Sequence, residues 1–285
     1  MEAGKIRFMR LCGEELSRER PRDGIGLLAE KRLHAVLKRW VEEDVTCHEV
    51  KVTGEGKKSR KFVADVQTKE GHIFEIQTGK LYPLRQKLAF YMEETAYPVT
   101  VLHPLFANKY ISWLDKASGE VTARKRSPHH ESVLHGIAEL KPFIAYLGSP
   151  RFTVCFPLIE ADEYRLLDGW GRGGKRGSHR YELLPLSLSD TCVFAAREDY
   201  AATFPDDPRL DGTFTAKEFG KVSRLRGFAL YDALAVFEAL GVIEKCGKEK
   251  RAALYRKIYE VSCAQMGMPQ RWFLGSFYGL TVPLV

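Results

Sequence analysis

The sequence predicts an α/β protein: a mixed β-sheet with flanking helices, then a central α+β segment, then two helices ending in a basic hairpin. Three observations predict it. Residues 24–43 place Leu27, Leu33, Leu37, Trp40 and Val41 at helical spacing. Two apolar-rich runs, KFVADVQ and HIFEIQ, flank the polar turn Thr68-Lys69-Glu70-Gly71. A second helical repeat, Leu81, Leu84, Leu88 and Tyr91, leads past Pro98 into the apolar run VTVLHPLF, which suits a buried strand. The order helix, three strands, helix, strand contains a strand-helix-strand crossover beside antiparallel strands, and that combination requires a mixed sheet.

Composition sets the outer limits. The 285 residues are 45% hydrophobic and 28% charged, with net charge +7. That is a globular composition with room for two modest domains or one with appendages. The basic balance, pI near 9.0, is compatible with a polyanionic partner. No run reaches the length of a membrane span, and residues 1–23 lack the apolar stretch of a secretion signal. No membrane partner and a cytoplasmic location are therefore expected. The six cysteines, at 12, 47, 155, 192, 246 and 263, include no close pair, which argues against a zinc ribbon and suits reduced thiols.

Residues 1–23 are basic and mixed, and no role is assigned to them. In the first helix Glu30 sits inside the apolar stripe, facing the core or the edge of a cleft. His34 lies one turn on, as a hydrogen-bonded core histidine or a ligand. A strand and a connector with Lys57, Lys58, Arg60 and Lys61 follow, a solvated tip or a contact to a phosphate backbone. Asp65 then stands between Ala64 and Val66, and Glu75 between Phe74 and Ile76. Strand alternation sends Glu75 and Gln77 to one face and Phe74 and Ile76 to the other. The carboxylates either line the solvated face of an ordinary hairpin or converge; converging carboxylates call for a cation or a shared proton.

The second half begins with a hairpin expected over residues 109–128, its second arm basic at Arg124, Lys125 and Arg126. A helix over 131–147 follows, then strand structure with a polar interruption over 151–167. Residues 169–180 hold five glycines with Arg172, Lys175, Arg176, His179 and Arg180. Glycines allow close backbone approach and guanidinium groups suit phosphate, so this is a nucleic-acid contact loop or a mobile surface loop. It lacks the spacing of a nucleotide-binding P-loop. Thr215 and Glu218 have capping-box spacing, so a helix starts there. A break at Val222-Ser223, a longer apolar helix and a basic strand-turn-strand complete a winged-helix layout. Arg224, Arg226 and Tyr231 are its candidate groove contacts, with Lys248, Lys250 and Arg251 on the wing. Such modules also mediate protein contacts. The aromatic tail packs back on the body or forms an oligomer contact.

With Glu30, Asp65, Glu75 and Gln77 at these points of the element order, the chain resembles the PD-(D/E)XK nuclease superfamily. The phrases EIQTGKLYPLRQKL, YPVTVLHPL, RLLDGWGRGGKRGSHR and FTAKEFGK through ALYRK also resemble an uncharacterised nuclease-like family with a C-terminal winged helix, over roughly residues 24–258. The resemblance implies a restriction-endonuclease-like core over 24–107, a central α+β segment over 108–190 and a winged helix over 191–260. An extension (1–23) and a tail (261–285) flank them. It further implies that Asp65 and Glu75 hold Mg²⁺ or Mn²⁺, with the carbonyl of Ile76 as a further ligand and Glu30 binding through water or completing a second site. The ion would acidify a water and neutralise the scissile phosphate. Gln77 departs from the usual lysine and brings no charge. Lys80 is the first candidate to supply it, ahead of Arg85 and Lys87. The expected function is a magnesium-dependent DNA endonuclease, with DNA as partner and a homodimer compatible with the pattern. The alternative is a catalytically inactive, nuclease-like DNA-binding or regulatory protein. A third reading, a protein-interaction module on a structural core, would bind no nucleic acid.

Overall fold

The computed structural model describes residues 2–18, 28–55, 60–115, 118–169 and 177–258, and their side chains apart from those of 28–31 and 168–169. Two helices open the chain, α1 (Glu2–Ser17) and α2 (Leu28–Val41). Phe8, Leu11, Cys12 and Glu15, at i, i+3, i+4 and i+7, form the buried side of α1, which packs on α2.

The expected order then follows: β1 (His48–Thr53), β2 (Lys61–Gln67), β3 (Ile73–Ile76), α3 (Arg85–Glu94) and β4 (Val99–Leu102). β1, β2 and β3 pair antiparallel; β3 and β4, joined through α3, pair parallel. The apolar run after Pro98 is two strands, because Pro104 has no N–H to give a ladder and His103 turns its Nδ1 to the Gln77 carbonyl at 2.7 Å. β5 (Leu105–Asp115) starts beyond that break.

The second arm expected opposite β5 shrinks to β6 (Lys125–Arg126) and one bridge, Leu114 to Val121. Residues 121–126 are all exposed, so they have no apolar face to bury as a longer strand. The helix expected over 131–147 ends as α4 (Val133–Glu139), since Pro142 withdraws a donor and the chain tightens into a single 3₁₀ turn.

The polar interruption expected after residue 151 is absent. β7 (Phe152–Gly169) and β8 (Gly177–Phe194) are each 18 residues long and pair along nearly their whole length. Glu160 and Asp162 sit within the strand, and Glu163 is buried there because Lys109 (2.8 Å) and Arg165 (2.6 Å) pair with it. Acids that suggest a loop are thus strand residues with partners of their own: Glu160 accepts from Asn108 and Ser187, and Asp162 pairs with Arg124.

All these strands make one mixed sheet of order β1-β2-β3-β4-β7-β5-β6, with β8 on the far edge of β7. Strands from residues 48–102 and from 105–194 therefore share one sheet. Ile76, Leu102, Cys155 and Ile159 meet α1 and α2 on one face. Ile73, Val99, Val101 and Val154 meet α3 and α4 on the other.

After α5 (Arg197–Ala201) come β9 (Thr213–Thr215), α6 (Ala216–Ser223), α7 (Gly227–Ala239), β10 (Ile243–Glu249) and β11 (Ala252–Lys257). The capping box is present: Thr215 N–H donates to Glu218 Oε2 at 2.7 Å, and Thr215 Oγ1 accepts from Glu218 N–H. A small antiparallel sheet, β10-β11-β9, backs α6 and α7, and α7 also packs on α4. Among the described residues no helix is long and apolar enough to cross a membrane.

Candidate functional site

β2 and β3 pair only at Val66 with Phe74 and Gln67 with Ile73. One step further the register sets Asp65 opposite Glu75, and there the ladder stops. In place of a main-chain partner, Ile76 N–H donates to Asp65 Oδ2 at 2.8 Å. Two carboxylates facing each other across strands repel. The surrounding elements supply the compensation.

α3 supplies most of it. Lys87 and Tyr91, one helical turn apart, both reach Glu75: Lys87 Nζ is 2.6 Å from Oε2, and Tyr91 OH donates to Oε1 at 2.9 Å. From the other side α2 brings His34 Nε2 to 3.5 Å from Asp65 Oδ2. Asp65, Glu75, His34, Lys87 and Tyr91 thus draw on four elements, and only Asp65, His34 and Lys87 keep part of their surface in solvent.

Burial separates the two acids. Glu75 is 2% exposed, and burial, then the charge of Asp65, pushes its carboxyl up to about 7 against the pull of Lys87 and Tyr91. Burial pushes Asp65 up as well, but the His34 imidazole, Ile76 N–H and Lys87 outweigh it and hold that carboxyl below its ordinary value. Near neutral pH the pair therefore contains one firm carboxylate and one group within reach of protonation. Acid-base and cation-binding sites set neighbouring carboxyls apart in this way.

The structure brings together Asp65 and Glu75 of the residues expected at the site. Ile76 takes part through its N–H. Glu30 lies in the first turn of α2, and its side chain is outside the described residues. Gln77 lies just past β3 and turns away from the acids, its Nε2 donating to the Lys80 carbonyl at 2.8 Å. The expectation for Lys80 is corrected: its ammonium pairs with Glu139 of α4, and the side chain is 80% exposed. The cation at the acids is Lys87, ranked behind Lys80 in the sequence reading. Arg85 stacks over Tyr82, its guanidinium 5.1 Å from the ring centre. Lys87 and Tyr91 share the inward phase of Leu84 and Leu88, and a lysine at that phase is the signal that points to them.

Of the candidate nucleic-acid contacts, Arg172, Lys175 and Arg176 lie outside the described residues. His179 and Arg180 are on β8, with the Arg180 guanidinium 3.7 Å from the buried Glu163. Arg224, Arg226, Lys248, Lys250 and Arg251 are all exposed on the C-terminal unit. Among the described residues no three His, Cys, Asp or Glu side chains form a metal-binding group.

Fold and site together define a mixed-sheet α/β protein with a lysine-compensated acidic pair where two strands part. Residues 31–195 match a family described as "Domain of unknown function (DUF8091)", and the chain belongs to it. No curated protein and no solved structure matches the chain. The matched region contains His34, Asp65, Glu75, Lys87 and Tyr91 and every strand of the large sheet, and it ends before α5.

Proposed function

We propose that the chain is a divalent-metal-dependent nuclease hydrolysing phosphodiester bonds of DNA, with Asp65 and Glu75 holding the ion. The single observation that carries this is a pair of carboxylates, Asp65 and Glu75, one register step past the last pairing of β2 and β3, the first held below its ordinary value and the second pushed up to about 7 by burial and by the charge of the first. Excess negative charge of that kind is relieved by a cation. The donors are hard oxygens, and two carboxylates with water completing the shell suit Mg²⁺. When bound, the ion supplies Lewis-acid stabilisation of the phosphate and a water of lowered pKa.

The chain's own groups have separable parts. Lys87 holds Glu75 in place and would supply the positive charge that Gln77 cannot bring. His34 and Ile76 N–H fix the orientation of Asp65. Tyr91 fixes the second oxygen of Glu75. In the C-terminal unit, the order of β9, α6, α7, β10 and β11 supports a winged helix, with exposed cations as a DNA contact.

Incubation of labelled DNA with the protein and Mg²⁺ or Mn²⁺ tests this reading. Cleavage that stops in EDTA and falls at least about a hundredfold in Asp65→Asn is expected; the asparagine keeps an oxygen for Ile76 N–H. Cleavage unchanged in Asp65→Asn overturns the assignment. Metal binding without cleavage favours the second reading, a DNA-binding protein with a nuclease-shaped core.

A further inference from the structure

α7 carries two aromatic rings that the described chain leaves bare. Phe228 is 89% exposed and Tyr231 59%. Three residues apart, they are neighbours on one face of the helix, and Ala235 and Ala239 continue that face. The opposite side, Ala233, Leu234, Val236 and Phe237, is buried in the core. Both acids bordering the stripe are engaged elsewhere: Asp232 with Lys141 at 2.6 Å and Glu238 with Lys245 at 2.7 Å.

Cations surround the rings. Arg224, in the left-handed conformation at φ 61°, and Arg226 immediately precede the helix; both are exposed and make no ion pair with a described residue. α7 packs on β10, the first strand of the β10-β11 hairpin. At the tip of that hairpin Lys248, Lys250 and Arg251 are exposed.

A helix that reads base edges in a duplex groove presents Arg, Lys, Asn or Gln on its outer side. The outer side of α7 presents two rings and two alanines. Rings flanked by free cations match the flat faces and phosphates of unpaired nucleotides, and in a continuous duplex those faces are covered by the neighbouring pairs. We infer that Phe228 and Tyr231 are a stacking platform for unpaired bases, with Arg224 and Arg226 on the phosphates, so that this unit holds single-stranded nucleic acid. The inference rests on the nuclease reading for its choice of nucleic acid and names the form of that substrate.

Fluorescence anisotropy in EDTA, with a labelled single strand and the blunt duplex of the same sequence, tests it without cleavage. The expected result is single-strand binding about tenfold or more tighter than duplex binding, weakened roughly tenfold by Phe228→Ala and by Tyr231→Ala and retained by Phe228→Trp. Both positions are exposed, so the variants leave the fold intact. Equal or tighter duplex binding, or alanine variants that bind the single strand as the wild type does, overturn the inference. So does a platform that leaves oligonucleotides unbound but changes the sedimentation of the protein, which marks a protein contact. Binding read in EDTA, apart from any cleavage, separates the two proposals. Binding through Phe228 by a wild type that never cleaves leaves this inference standing and removes the nuclease one.

Discussion

With Lys87 replaced by methionine, the protein is expected to lose about 1 to 2 kcal/mol of stability at pH 8 and cleavage to fall on the order of a hundredfold. Lys87 is the one cation within ion-pair distance of Glu75 among the described residues, and Glu75 is 2% exposed. Removing one partner of a buried pair leaves the other charge without compensation, which is worse than never having had the pair. Proton uptake by Glu75 limits the loss, so the deficit should shrink toward pH 5. The double variant Glu75→Gln with Lys87→Met should recover most of the stability but none of the activity. Denaturant unfolding at the two pH values checks this; a Lys87→Met protein as stable as wild type at both would show that the ion pair contributes nothing.

Glu75→Gln is expected to gain on the wild type as pH rises, by up to about 3 kcal/mol between pH 5 and 8. The folded state lifts this carboxyl from 4.5 to about 7, through burial first and Asp65 second. Between those values the folded chain holds a proton that the unfolded chain has released, so wild-type stability falls through the window. Glutamine, which cannot ionise, escapes that fall. His72 acts in the opposite sense: burial lowers it from 6.5 to about 4, so its contribution grows with pH over that range. The two slopes offset each other in the wild type, and the difference between variant and wild type isolates Glu75. Lys87, Tyr91 and Asp65 face the carboxyl and are common to both proteins. A flat difference curve would mean that Glu75 ionises at its ordinary value.

Much of the large sheet was legible because its elements change period cleanly. The run from α2 to β4 follows the sequence reading, and Asp65 and Glu75 stand out as acids inside apolar strands. Residues 2–17 were not legible as a packed helix. Ile6, Met9 and Leu16 are exposed on α1 while Phe8 and Leu11 are buried, so apolar residues fall on both sides and the stripe has no contrast. The β7-β8 hairpin was hidden by its own acids; the partners Lys109 and Arg180 of the buried Glu163 come from β5 and β8, far away in sequence.

Proximity in sequence explains the choice of Lys80 over Lys87. Lys80 lies in the turn after β3, three residues from Gln77, and that turn carries it toward α4 and Glu139. Lys87 is farther along the chain, but the packing of α3 across the sheet brings it back to Glu75. The bare rings of α7 were legible only in part: Tyr231 stood out as a groove contact, whereas Phe228 is one apolar residue among many in that helix, and only the burial of Ala233, Leu234, Val236 and Phe237 on the opposite side shows that it faces outward.

The most direct test of the acidic site is calorimetric titration of Mg²⁺ and of Mn²⁺ into wild type and Asp65→Asn, with the fold of each checked by circular dichroism. Saturable binding to the wild type that disappears in a folded Asp65→Asn is the predicted result. Binding of equal strength in both proteins, or no binding to the wild type even with DNA present, would contradict the claim that Asp65 and Glu75 form a metal site.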